Sequence, residues 1–215
     1  MINKTKDAFI FLLILIPFFL ILGPAIPDIV ITTSVIFGLI WTFLKKEIIY
    51  LINFNFIKIS IIFWIGLIFI SFFAVYKGKS FQDSLIFLRF LLIPIFCYFL
   101  FLRDYKYLNY LLLLVFFLVI FVSLDTLYQF FNYTSKDGFG SDLLGYKSKW
   151  YGRLTGPFKD ELIPGSYVSK FGLIGYAYLL LNKKLNNKIF FHSIYLSLIL
   201  IVCYVSGERM AFATF

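Results

Sequence analysis

Leu111-Leu112-Leu113-Leu114-Val115-Phe116-Phe117-Leu118-Val119-Ile120-Phe121-Val122 is a run of twelve apolar residues with no charge, glycine or proline. It lies within a wider stretch, Leu108 to Leu124, whose length suits a helix crossing a hydrocarbon core of roughly 30 Å. Similar runs flank it at Ala8 to Leu22, Ile29 to Leu44, about Ile57 to Tyr76, Leu85 to Leu102, about Tyr167 to Leu181 and Ile189 to Val205, and an eighth starts at Met210. In lipid the backbone has no water to bond, so segments this long and apolar cross as α-helices. The expected fold class is all-α, a polytopic transmembrane helix bundle of seven spans plus the start of an eighth. It is read as one transmembrane domain over residues 1–215.

Composition points the same way. The chain is 61% hydrophobic and only 14% charged, against about a quarter charged in soluble domains, so it cannot coat a water-facing surface. The net charge of +9 is therefore read as membrane topology rather than as a nucleic-acid footprint. Cys97 and Cys203 both fall in apolar runs and His192 is the one histidine, which leaves no disulfide framework and no metal cluster. Lysine outnumbers arginine sixteen to four, so each arginine carries more information.

Basic residues orient the stack, because Lys and Arg stay on the cytoplasmic side. With the N-terminus inside, the inner segments hold Lys4, Lys6, Lys45, Lys46, Lys58, Arg103, Lys106, Lys183, Lys184 and Lys188, ten residues against Lys77, Lys79 and Arg209 in the short outer turns. The N-terminus is thus expected to be cytoplasmic and the polar segment 125–166 to be an extracytoplasmic loop. Asp125 is expected to close the fifth span, and residues 47–56 to form an interfacial segment. Residues 211–215 stop just inside a new apolar run, so a fragment of a longer chain is expected.

Chemistry is expected in two polar stretches at the outer face. The first, Trp150-Tyr151-Gly152-Arg153-Leu154-Thr155-Gly156-Pro157-Phe158-Lys159-Asp160-Glu161, interleaves charges with glycines and interfacial aromatics. Arg153 offers a planar donor fork that matches phosphate oxygens; the plainer reading pairs it with Asp160 or Glu161. The second, Ser206-Gly207-Glu208-Arg209, sits between two apolar runs, where ionisable groups are costly unless paired or facing a wet cavity. Glu208 could pair with Arg209, or Arg209 and Arg153 could grip one diphosphate from the same side. Arg89, inside the fourth span, either snorkels to the interface or adds a third cation to an anionic headgroup.

Arg153-Leu154-Thr155-Gly156-Pro157-Phe158 with Asp160-Glu161 and Gly165-Ser166-Tyr167, followed by Ser206-Gly207-Glu208-Arg209-Met210-Ala211-Phe212, resembles the bacterial O-antigen ligases and polymerases. These are polytopic inner-membrane glycosyltransferases of lipopolysaccharide biosynthesis. The two motifs cover about 25 residues of the 215; elsewhere the agreement is in hydropathy, topology and loop order. The resemblance implies transfer of a glycan from undecaprenyl diphosphate to a sugar hydroxyl at the periplasmic face. The acceptor would be lipid A core or a growing polysaccharide, with no metal, cofactor or nucleotide sugar. It implies catalytic roles for Arg153 and Arg209 and substrate binding by Arg89, Asp160, Glu161 and Glu208. It also implies a histidine base in a later periplasmic loop, a place His192 cannot fill from the inner side, and about a dozen spans, so that this chain matches an N-terminal half. A flippase or exporter of lipid-linked oligosaccharide is the alternative, as is a non-catalytic membrane fragment. A flippase should carry charges at mid-membrane, and the fifth and seventh spans have none.

Overall fold

The computed structural model describes residues 2–45, 55–103, 105–134, 138–182 and 188–214. Its elements run α1 (Ile2–Ile21), α2 (Ala25–Leu44), α3 (Asn55–Ser71), α4 (Lys77–Arg103), α5 (Tyr105–Phe131), a 3-10 turn (Gly156–Phe158), α6 (Pro164–Leu181), α7 (Ile189–Val205) and α8 (Arg209–Thr214). Among the described residues there is no named strand, only isolated bridges between Thr134 and Gly138 and between Ser141 and Lys147. The all-helical class is therefore observed. Of the interfacial segment expected over 47–56, only the last two residues are described; Asp104 and residues 183–187 of the inner turns also lie outside the described set.

Among the described residues, three helical segments are long and apolar enough to cross a membrane: Ala25–Leu44, Lys77–Tyr98 and Tyr105–Phe131. Phe9–Ile21, Asn55–Ser71 and Ile189–Val205 are shorter apolar segments. At 27 residues, α5 is about 40 Å long at 1.5 Å per residue. Apolar side chains cover the outside as well as the inside: α3 leaves Ile59, Ile62, Phe69 and Ile70 between 63% and 70% exposed. Water would penalise such a surface, whereas lipid or a further helix would accept it.

Contacts divide the chain into two compact units, one of residues 1–16 and 27–107, the other of 17–26 and 108–215. In the first, α1 and α4 meet edge to face through Phe9 and Phe96, with ring centroids 5.7 Å apart. Gly38 of α2 gives those rings their space, because a Cβ there would stand 2.8 Å from Phe96 Cε2 and 2.9 Å from Phe9 Cζ. The α3–α4 hairpin is pinned by the Trp64 indole N–H, which donates to the Ser84 carbonyl at 2.8 Å.

The second unit has the larger core. Val115, Val119 and Val122 of α5 meet Val168 and Leu179 of α6 and Tyr195, Ile199 and Val202 of α7. Small residues let these helices approach, as in many helix pairs in lipid. A Cβ on Gly172 would lie 2.7 Å from Ile199 Cδ1, and one on Gly175 would lie 2.3 Å from Tyr195 Oη and 3.1 Å from Phe116 Cα. The Tyr195 hydroxyl donates to the Gly172 carbonyl at 3.1 Å. Because part of the wall at Gly175 is backbone, it cannot yield by a rotamer change. Gly175→Leu should therefore cost more than about 3 kcal/mol, the upper end for ordinary overpacking, and thermal unfolding in detergent should show a lower midpoint than for Leu173→Ala on the exposed side of the same helix.

Candidate functional site

The site is assembled in the second unit by the loop between α5 and α6 and by the turn between α7 and α8. Its base is the last turns of α5. Asp125, Thr126 and Gln129 are fully buried there, at spacings of one and three residues that place them on one helical face. The helix does not stop at Asp125, as its charge suggested, but runs to Phe131, because those polar side chains receive the loop instead of water.

Asp125 Oδ1 accepts the Leu143 N–H at 2.9 Å, and Asp142 Oδ1 accepts the Tyr146 N–H at 2.6 Å in a tight turn. The second carboxylate oxygen of each is enclosed without a hydrogen-bond partner among the described residues. Burial pushes the Asp142 carboxyl above the usual aspartate range, against the pull of the backbone N–H groups around it. The folded loop therefore favours the protonated form: its stability is greatest below the ordinary aspartate pKa and falls as pH rises through the elevated one. Hydrogen exchange at the Tyr146 amide, which donates to Asp142, should, once corrected for intrinsic rate, speed up over that interval in the native protein and lose the trend in Asp142→Asn.

One helical turn beyond Asp125 on the same face, Gln129 holds the arginine-bearing stretch. Its Oε1 accepts both the Thr155 N–H at 3.0 Å and the Gly156 N–H at 2.8 Å, while Nε2 donates to Thr155 Oγ1 at 3.3 Å. Gly156 has φ +51°, and a Cβ there would come within 2.6 Å of Thr126 Oγ1, so only glycine lets the loop lie this close to α5. The Phe158 ring packs on Tyr167 with centroids 5.3 Å apart.

On the other side the α7–α8 turn is tied to the start of α6. Glu208 accepts the Gly165 N–H at 2.7 Å on Oε1 and the Ser166 N–H at 3.0 Å on Oε2, which also takes the Ser166 hydroxyl. A carboxylate on the free N–H groups of a first helical turn is favoured by charge and by hydrogen bonding alike. Gly165 is required, since a Cβ there would fall 2.2 Å from Ser206 Oγ.

The two arginines emerge between these anchors. A Cβ on Gly207, whose φ is +71°, would stand 4.0 Å from Arg153 Nε, so the Arg153 guanidinium lies over the turn that carries Arg209. Arg209 borders a recess of about 330 Å³ lined by Cys203, Tyr204, Gly207, Glu208 and Phe212. Both arginines are exposed, and among the described residues neither side chain makes an ion pair or hydrogen bond.

The remaining sequence candidates are placed differently. Asp160 pairs with Lys149 rather than with Arg153, and both are exposed. Glu161 is half-buried beside it. Glu208 does not face Arg209 as an ion pair; both its oxygens serve α6. Arg89 belongs to the first unit, where it pairs with Asp28, donates to Thr32 Oγ1 at 2.7 Å and lies 4.8 Å from the Phe90 ring centroid. His192 lies against Tyr176, with Nδ1 3.2 Å from its hydroxyl. Among the described residues no group of three His, Cys, Asp or Glu side chains could hold a metal. Gln129 was missed; the signal for it was a run of polar residues at helical spacing in the last turns of an otherwise apolar span. Compared with known proteins, the chain matches no family model, no curated protein and no solved structure.

Proposed function

We propose that the chain is the diphosphate-binding part of an O-antigen ligase-like or polymerase-like membrane glycosyltransferase, a multi-pass protein of the bacterial inner membrane. In this reading seven spans with a cytoplasmic N-terminus carry the α5–α6 loop and the α7–α8 turn at the periplasmic face. The observation that supports it is the meeting of Arg153 with the Gly207–Arg209 turn: among the described residues neither guanidinium makes a hydrogen bond or ion pair, and Arg209 borders an open recess. In the transfer the acceptor sugar hydroxyl attacks the anomeric carbon of the donor glycan. The bond from that carbon to the diphosphate oxygen breaks, the electron pair leaves on undecaprenyl diphosphate, and the hydroxyl proton passes to a general base. Negative charge grows on the leaving diphosphate, and fixed cations aimed at it lower the barrier. Guanidinium forks match phosphate oxygens in geometry as well as charge.

Loss of such a transferase leaves its donor stranded after it has crossed the membrane. Deleting the source gene should therefore accumulate lipid-linked glycan on the outer leaflet, where a membrane-impermeant glycosidase or lectin can reach it. Accumulation on the cytoplasmic leaflet would instead support the flippase alternative.

A further inference from the structure

Arg153 has no side-chain partner among the described residues, so its place depends on its backbone. That backbone is held from below. Leu154 is 1% exposed and Thr155 is fully enclosed, and the N–H groups of Thr155 and Gly156 both end on Gln129 Oε1 at 3.0 Å and 2.8 Å. Gln129 is itself 0% exposed and cannot touch a ligand in the outer recess. Its third bond, from Nε2 to Thr155 Oγ1, fixes which way the amide faces, so the oxygen is the end presented to the two N–H groups. A single buried carbonyl oxygen thus holds the chain two residues beyond Arg153, and the near contact between Gly156 and Thr126 Oγ1 closes the same junction from the side.

We infer that Gln129 is the positioning residue of Arg153: it sets where the guanidinium stands without meeting the ligand. This rests on the diphosphate reading above. Two enclosed N–H groups that lose their one acceptor must move to find another, and the loop segment carrying Arg153 moves with them. Gln129→Met keeps the length and apolar bulk of the side chain and removes the acceptor. Gln129→Glu keeps an acceptor for both N–H groups, and the Thr155 hydroxyl can turn to donate to it.

The test is binding of undecaprenyl diphosphate to the purified protein in phospholipid nanodiscs, with undecaprenol as the uncharged control. Gln129→Met should weaken binding of the diphosphate about tenfold, within the range of coupled neighbours, and leave undecaprenol unchanged. Gln129→Glu should restore most of the loss. In an Arg153→Ala background Gln129→Met should have almost no further effect, because the group it positions is gone, whereas a purely structural defect would weaken both backgrounds alike. Equal losses in the two backgrounds, or native affinity in a folded Gln129→Met protein while Arg153→Ala binds poorly, would overturn the positioning role and leave the diphosphate site standing. Native affinity in Arg153→Ala would remove that site and this inference together.

Discussion

Arg153→Ala and Arg209→Ala, each made in protein expressed from its source reading frame, are expected to reduce glycan transfer roughly 10²–10³-fold, the range for removing one preorganised charge-stabilising donor. Protein level and membrane insertion should stay normal. Both arginines are exposed and, among the described residues, neither side chain makes a hydrogen bond or ion pair, so their loss strands no buried partner there. Lysine should rescue each variant only in part, since it returns the charge without the planar fork. The double alanine variant should fall little below the worse single one, because two groups acting on one diphosphate are not additive. Normal transfer in both single variants would remove the proposed activity.

Glu208→Ala should fail for a different reason. Its carboxylate accepts from two backbone N–H groups and one hydroxyl in the first turn of α6, and hydrogen bonds to a charged acceptor contribute more than neutral ones. With half-burial and solvent screening considered, roughly 2–3 kcal/mol of stability should go. A lower thermal midpoint should accompany the loss of transfer. Glu208→Gln keeps one acceptor oxygen and should fall between. If transfer fell in Glu208→Ala with no change in thermal midpoint, the side chain would be contacting substrate rather than bracing α6.

The helices were legible because their signal is local. A run such as Leu108 to Leu124 leaves the backbone no state but helix in lipid, and each expected apolar run lies largely within an observed helix. Helix ends were less legible. α5 continues seven residues past Leu124, because Asp125, Thr126 and Gln129 spend their polarity on a loop whose path no local pattern reveals. The site divides in the same way. The sequence marked the two arginine-bearing stretches, and the structure brings Arg153 over the Gly207 turn. It could not show that Glu208 reaches back 42 and 43 residues to Ser166 and Gly165, since adjacency favoured Arg209. Nor could it separate Asp160 from Arg153, because Lys149, eleven residues before that carboxylate, competes for it.

The pair between Asp28 and Arg89 bears on how the protein is made. The acid lies in the first turn of α2 and its base lies in α4, 61 residues later. At about 5–20 residues per second, the ribosome delivers the base roughly 3–12 seconds after the acid. Throughout that interval Asp28 lacks the guanidinium it pairs with in the folded unit, and α4 must be made before the two can meet. This link between α2 and α4 is therefore made only after both helices exist, rather than as α2 emerges.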